Sequence, residues 1–403
     1  MLVAADELVT KLKMIDWTCN GAATTYLSHN VHPYPAKFIP QIPHALIETL
    51  SEAGETVWDP FGGSGTTALE ALLLWRNCVS TDLNPLGTLS GVVKTSILSN
   101  SDCDQIENII SYFEEISKTP ELLIQWQEIN HKSLEKYIPD IPKIDKWFCP
   151  NAKLELSYLR QHIVENTYNP LVKHILLLSF SKTVGIVSNQ EAETNYRAVN
   201  KSLPECHTIK VFIKTLRGVT RKVKDFNSYL AKQGYSQIPT IQFFTRDATS
   251  DGLVGEEGLL KDESVDLIIT SPPYPKALDY FLYHRFRLFW LGYDPRKLSK
   301  HDIGAHIRFM NPKYSYKEYE TEISVALRNC YRALKKGRYA ALVLGGGTSH
   351  GKSYSAVEQF SKIAEENGFQ PATALDRTYP VYKRTVQKSA GQMAKEHILV
   401  LKK

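Results

Sequence analysis

The sequence predicts an open α/β fold, a mostly parallel sheet interrupted between its second and third strands by a helical insertion of about 135 residues. Three observations predict it. A short strand runs into a glycine turn, a helix and a second strand ending in an acid, all within about thirty residues, the length of one βαβ unit. A later strand is a continuous apolar run, as strands buried on both faces are. From about Leu98 to Gly234 glycine nearly disappears and helical spacing of apolar residues takes over.

Taken in order, residues 1–50 hold a proline-punctuated segment, His32 to Pro40, and a helix over Ile42 to Leu50. The strand Thr56-Val57-Trp58 enters Asp59-Pro60-Phe61-Gly62-Gly63-Ser64-Gly65-Thr66-Thr67, followed by a helix over Ala68 to Trp75 and the strand Cys78 to Thr81, which ends at Asp82. Strand character resumes at Ile241 to Asp247, and Val265 to Thr270 is the continuous apolar run. A helix over Asp279 to Leu291, another over Glu320 to Leu334, a strand over Tyr339 to Leu344, a helix over Ser355 to Asn367 and strands near Asp376–Tyr382 and His397–Leu401 complete the reading. The insertion must fold on its own or lie on the sheet edge, since structureless loops of that size are not expected.

The 403 residues, 43% hydrophobic and 23% charged, suffice for one large domain and a smaller one. The formal charge of +5 leans mildly toward anionic partners. Asp6 and Glu7 stand where a secretory leader would be basic and then apolar. No stretch reads as a membrane span, and the six cysteines lie too far apart for a zinc knuckle or a redox pair. The expectation is a cytoplasmic protein with reduced thiols.

The glycine turn carries the first chemistry. Gly62, Gly63 and Gly65 allow a sharp turn and a close backbone approach to a ligand, and the helix behind them presents free N–H groups. Asp82 stands where a carboxylate can accept from both ribose hydroxyls. A nucleoside cofactor is expected. The dinucleotide pattern G-x-G-x-x-G is not met, because Ala68 stands three after Gly65. Asp59 would also set a negative charge beside a pyrophosphate, whereas it suits the ammonium of a methionine moiety. A nicotinamide dehydrogenase is therefore disfavoured.

Ser271-Pro272-Pro273-Tyr274 carries the second. The prolines end the strand rigidly and fix the direction of the Ser271 side chain and the nearby carbonyls. An exocyclic base amine is a poor nucleophile because its lone pair is delocalised into the ring. Acceptors around it, Ser271 Oγ and the Pro272 carbonyl, draw its N–H bonds and let the nitrogen pyramidalise. Tyr274 offers a flat face for a base flipped out of the duplex.

At these residues the sequence resembles the amino-methyltransferase family of DNA methylases, which make N4-methylcytosine or N6-methyladenine. Asp59 to Thr67 matches the family's cofactor motif and Thr270 to Tyr274 its catalytic motif; the likeness spans roughly 28–95 and 238–403. The resemblance implies a seven-stranded, Rossmann-like class I methyltransferase sheet with a reversed final strand. It implies S-adenosyl-L-methionine as cofactor, held by Tyr34, Pro35, Lys37, Phe38, Asp59, Phe61, Gly62, Gly63, Ser64, Gly65, Thr66, Thr67, Asp82, Asn84 and Asp247. Asp82 falls at the family's ribose acid, Asp247 at its adenine acid, and His32 to Pro40 at the segment covering the methionine end. Leu334-Lys335-Lys336-Gly337 and the strand after it match a further family strand. Residues 1–97 and 236–403 then form the catalytic domain, and 98–235 the insertion, expected to recognise the target. Where family members carry that region after the adenine acid, here it precedes Asp247.

Serine at the head of the catalytic motif favours cytosine N4 over adenine N6. Carbon-5 methylation is disfavoured, because no cysteine follows a proline; Cys149 precedes Pro150. The expected activity is site-specific methylation of a flipped cytosine in double-stranded DNA, within a restriction-modification system or as a solitary methylase. A cognate restriction endonuclease is then a further partner, the chain a monomer or dimer, and no metal is required. An RNA amino-methyltransferase would usually carry a separate RNA-binding module at one end.

Within the insertion, Ile209, Phe212, Leu216, Val219, Val223, Phe226 and Leu230 form the seam of an amphipathic helix. Lys210, Lys214, Arg217, Arg221 and Lys224 recur on its outer face, and from Arg197 to Lys232 nine bases face two acids. These five, with Arg285, are the expected DNA-phosphate contacts; Arg287 is a further candidate. Gly218 marks a place where the helix can break. Lys146-Trp147-Phe148 reads as core rather than as a wedge.

Overall fold

The computed structural model describes all residues except Met1, 130–135, 193–196, 235–236, 277, 346, 350–351 and 379–394. Seven strands form the main sheet: β1 (Thr56–Asp59), β2 (Asn77–Asp82), β3 (Ile241–Thr245), β4 (Val265–Thr270), β5 (Leu334–Gly345), β8 (Gln370–Thr378) and β9 (Lys395–Lys402). Their order is β3-β2-β1-β4-β5-β9-β8. The first five are parallel; β9 runs antiparallel to both β5 and β8. This is the class I methyltransferase sheet with its reversed last strand, as expected. β6 (Gly347–Ser349) and β7 (Lys352–Tyr354) pair separately.

Both faces of the sheet are buried, which explains the unbroken apolar runs. Val57, Leu267, Ile269, Ala341, Val343, Ile398 and Val400 point to one side, against α1 (Leu2–Met14), α2 (Gln41–Leu50) and α3 (Thr66–Leu73). Trp58, Ile268, Ala340, Leu342, Leu344, Leu399 and Leu401 point to the other. There they meet two later helices, Tyr316–Ala333 and Ala356–Glu366.

The insertion follows α4 (Pro85–Lys94) and supplies α5 (Asn100–Lys118), α6 (Pro120–Ile129), α7 (Ile144–Trp147), α8 (Pro150–Glu165), α9 (Pro170–Val187) and α10 (His207–Lys232). All seven seam residues of α10 are buried, and the helix runs unbroken for 26 residues through Gly218. The insertion does not keep its core to itself. Its buried side chains form one cluster with Leu86 and Val93 of α4 and with Phe286, Leu288 and Trp290. Phe226 and Leu230 pack on Leu69 and Leu72 of α3. Trp147 and Phe148 are core, as expected.

Some expectations need correction. Helix α9 is long and apolar enough to cross a membrane, where no such stretch was expected. Here Val172, Ile175, Leu176, Leu178, Phe180, Val184 and Val187 are buried in the shared core. The single helix expected over Asp279 to Leu291 is two, α11 (Tyr280–Tyr283) and α12 (Arg285–Leu291), broken at His284. And β5 begins at Leu334 rather than Tyr339, with Gly337 at φ 76° admitting the bend. The strand expected to reach Tyr382 is observed to Thr378; the rest lies outside the described residues.

Candidate active site

The chain runs β1, β2, β3 toward one edge of the sheet, then returns to place β4 on the other side of β1. Open α/β sheets bind ligands at such a reversal, outside the carboxyl ends of the strands. A cleft of about 980 Å³, partly open to solvent, lies there. It receives the segments that leave β1, β2, β3 and β4.

The turn after β1 is held by its neighbours. Asp82 accepts from the backbone N–H of Gly63 (2.8 Å) and of Asn84 (2.7 Å). Gly62 has no room for a side chain, since a Cβ would come within 1.9 Å of Ser80 Oγ. Gly65 sits at φ 76°, where a Cβ would come 2.8 Å from Gly91 Cα. These two glycines therefore serve close packing of the turn on the protein itself, not only approach to a ligand.

Asp59 is the clearest departure from expectation. It is 1% exposed and does not face the cleft. Its carboxylate accepts from Thr67 Oγ1 (2.6 Å), Thr270 Oγ1 (2.7 Å) and the Phe61 N–H (3.2 Å). It thereby ties β1, α3 and β4 together, a structural role in place of the expected ammonium contact. Burial pushes its carboxyl up to about 7 against the pull of these hydrogen bonds. Burial likewise raises Asp82 to about 6.

The segment from Tyr26 to Phe38 is strapped over α3 by a buried acid. Glu70 accepts from Tyr26 Oη (2.5 Å) and meets His29 Nε2 (2.6 Å) and His44 Nδ1 (2.8 Å). Burial alone would raise its pKa, but these partners outweigh burial and leave it below the usual value. The strap brings Tyr34, Lys37 and Phe38 to the cleft. Lys37 donates to the His29 carbonyl (3.0 Å), and the buried Lys94 to Ser64 Oγ (3.3 Å). Burial holds both ammonium groups below their ordinary value.

At the end of β4, Ser271 Oγ and Tyr274 Oη lie 3.2 Å apart and converge on the Val343 carbonyl of β5, at 3.2 and 3.0 Å. Tyr319 donates to the Pro273 carbonyl (3.0 Å). The two hydroxyl protons are taken up inside this group. At most one of the two Ser271 oxygen lone pairs serves Tyr274, so one acceptor site remains.

Of the expected cofactor residues, Tyr34, Lys37, Phe38, Phe61, Gly62, Gly63, Ser64, Thr66, Asp82, Asn84 and Asp247 line the cleft, together with Ser271 and Pro273. Pro35, Asp59, Gly65, Thr67, Pro272 and Tyr274 are not among the lining residues. Asp247 is held by Thr249 through its N–H (2.8 Å) and Oγ1 (2.7 Å). Sequence reasoning missed the contribution of the segment after the proline corner: Tyr280, Phe281, Leu288, Leu298, His301, Asp302 and Ile303 also line the cleft. No motif marks them; only the polar texture of 292–319 hinted that this stretch does something other than pack.

Of the expected phosphate contacts, Lys210, Lys214, Arg217 and Arg221 are exposed on α10, and Lys224 is half-buried. Two of the five have acidic partners on α5: Arg217 meets Glu114 (2.9 Å) and Lys224 meets Glu107 (3.9 Å). Arg285 does not belong with them. It is 8% exposed, its guanidinium 5.2 Å from the Trp147 ring and 4.5 Å from that of Phe286. Arg287 is buried as well.

Comparison with known proteins agrees with this geometry. The family model described as DNA methylase, of the N6/N4 type, matches residues 13–86, the strap, the turn and β2. The chain is 29% identical over 272 residues to the type II methyltransferase M.MvaI of Kocuria varians, covering 65% of this chain and 56% of that one. It is 22% identical over 380 residues to M.MjaII of Methanocaldococcus jannaschii (76% and 70%), and 25% over 295 residues to M.BsoBI of Geobacillus stearothermophilus (68% and 54%). The match thus spans little more than half the length of two of these three relatives. By the turn, the proline corner and these similarities together, the chain is similar to DNA methylases of the N6/N4 type.

Proposed function

We propose that the protein transfers a methyl group from S-adenosylmethionine to the N4 amine of a cytosine flipped out of double-stranded DNA. One observation carries this reading. Ser271, with an acceptor site to spare, opens into the same cleft as the Asp82-anchored glycine turn. Serine rather than aspartate at that position favours cytosine over adenine.

The cleft fits the cofactor by its polarity. Asp82 spends one lone pair per oxygen on backbone N–H groups and keeps others for ribose hydroxyls. Lys37 offers a counter-charge for an amino-acid carboxylate near the turn, beside the free N–H groups at the start of α3. Asp247 stands at the mouth of β3, within reach of an adenine amino group. When bound, the cofactor supplies an electrophilic methyl on a cationic sulfur. The chain does the rest by position. Ser271 Oγ and the Pro272 carbonyl accept the two N–H bonds of the target amine, so the nitrogen lone pair turns out of conjugation. The rigid prolines and the Val343 anchor keep these acceptors from moving with the base. The proton lost from the methylated amine passes to solvent.

Lys210, Lys214 and Arg221, exposed on α10, are the phosphate contacts of this reading, and the insertion reads the target sequence. In a cell the enzyme acts beside a cognate restriction endonuclease or alone. The test is nucleoside mass spectrometry on DNA from a methylation-deficient host expressing the protein or a Ser271→Ala, Tyr274→Ala double variant. N4-methylcytosine present only with the unaltered protein supports the reading. N6-methyladenine keeps the mechanism and moves the base; no mark in DNA moves the substrate to RNA.

A further inference from the structure

We propose that Asp302 is the counter-charge for the cationic sulfur of the bound cofactor, so that the cleft holds S-adenosylmethionine in preference to its neutral product, S-adenosylhomocysteine. The inference rests on the cofactor reading above and deepens it. Asp302 lines the cleft, and its Oδ2 is buried without a hydrogen-bond partner among the described residues. The neighbouring groups relieve it little. The Tyr280 N–H donates to its carboxyl, but Asp82 and Asp279 carry the same sign. Arg308, the base that acts on it, pairs both terminal nitrogens with Glu322, at 3.0 and 2.6 Å, and donates from Nη1 to the backbone carbonyl of Asp302, at 3.4 Å. His301, next in the chain, lies 3.8 Å from Asp247.

Its place in the fold says what kind of cation belongs there. Two residues on, Gly304 is pressed against the catalytic corner: its carbonyl accepts from the Lys276 N–H (2.8 Å), and a Cβ would come 3.2 Å from the Tyr274 carbonyl. On the other side Asp302 is within electrostatic reach of Asp82, the ribose acid. Asp302 therefore stands between the ribose site and the methyl-accepting corner. The methyl-bearing sulfur of the cofactor lies between those same two points. Burial first, then Asp279 and Asp82, pushes the Asp302 carboxyl up to about 8. A buried carboxylate with one oxygen left without a donor is a costly group, and a fixed cation offsets that cost. After transfer the sulfur is neutral, the compensation is gone, and the product is held less tightly.

The test is calorimetric binding of S-adenosylmethionine and S-adenosylhomocysteine to the unaltered protein and to Asp302→Asn, an isosteric change. The unaltered protein should prefer the cationic ligand. In the variant its affinity should fall on the order of tenfold or more, while that for the neutral ligand stays within about twofold. Equal loss of both would make Asp302 a packing residue and overturn the proposal. If the unaltered protein binds neither ligand, the cofactor reading itself fails.

A second measurement follows the two affinities with pH. Their ratio in the unaltered protein should rise between about pH 7 and 9, relative to the same ratio in Asp302→Asn, as Asp302 ionises. The other groups facing it are Asp82, Asp279, Tyr34, Tyr280, His301 and Arg308. Asp82, at about 6, is already charged in that window, and Tyr34 and Tyr280 stay neutral because burial raises them further. The sulfonium lowers the pKa of the amino group in the cationic ligand, so that titration does not cancel between the ligands, but it is common to both proteins and cancels between them. The same pH dependence of the ratio in both proteins would overturn the proposal.

Discussion

Ser271 gives its proton to a partner inside the protein and still has an acceptor site left, and the proposed chemistry depends on that spare site. Replacing it by alanine removes one fixed acceptor for the target amine and its bond to the Val343 carbonyl, which Tyr274 Oη still meets. Loss of one preorganised hydrogen-bonding group lowers kcat by roughly 10²–10³. Methyl transfer from labelled cofactor should show that fall, with cofactor affinity near unchanged. The buried acids make a prediction of their own. Asp59, Asp82 and Asp302 titrate in the fold at about 7, 6 and 8, above the ordinary carboxyl range. Their contribution to stability is full below the unfolded value and is lost as pH rises through these folded values. Burial lowers His29, His32 and His284, which pull the other way below their ordinary value, and Lys37 and Lys94, which do so at higher pH; comparison with Asp302→Asn, which keeps all of these, isolates Asp302. Between about pH 7 and pH 9 the denaturant midpoint of the unliganded protein should fall relative to that of Asp302→Asn. At this scale the sequence revealed residue types at turns but not their direction. Asp59 reads as a ligand contact until β4 and α3 close around it, because its partners Thr67 and Thr270 are common polar residues whose convergence is set by the sheet.

Helix α10 shows what periodicity can and cannot tell. Its apolar seam was legible because burial repeats with the helical turn, and every seam residue is in the core. The basic stripe was legible too, but its pairing was not. Glu114 and Glu107 lie on α5, about a hundred residues earlier, and only packing of the two helices brings them to Arg217 and Lys224. The stripe therefore divides. Changing Lys210, Lys214 and Arg221 together to glutamine should weaken binding to duplex DNA and flatten the log–log salt dependence by about 0.9 for each phosphate no longer neutralised. Changing Arg217 or Lys224 should alter stability by at most about 1 kcal/mol, the worth of an exposed ion pair, and the salt slope less. Anisotropy titrations across a salt series separate the two groups. An unchanged slope in the triple variant would remove α10 from the DNA surface. The broken helix at His284 was not legible at all: Tyr280 to Leu291 has helical composition throughout, and the break serves to aim Tyr280 and Phe281 at the cleft while α12 turns into the insertion's core.

For the whole molecule, the kind of sheet and its reversed final strand followed from the resemblance in the sequence, whereas the degree to which the insertion is a separate body did not. Texture changes at about 98 and 235, which suggests two domains, yet buried side chains run without a gap from α9 and α10 into α4 and α12. The reason is geometric: α12 follows the catalytic corner directly, and its Phe286, Leu288 and Trp290 are buried in the insertion's cluster rather than against the sheet. A shared core couples the two regions in unfolding, because exposing one strips the other of its partners. Calorimetry of the unliganded protein should therefore show one transition, not two. Trp290→Ala, which empties the joint between them, should lower stability by about 3–5 kcal/mol. It should lower the midpoint measured by a probe in the insertion and by one on the sheet by the same amount. Two transitions, or a variant that softens the insertion alone, would mean that the regions fold separately and that contact between target reading and methyl transfer runs through the DNA. A single transition ties them through Trp290 and α12, a short stretch of chain from the residues that line the cleft.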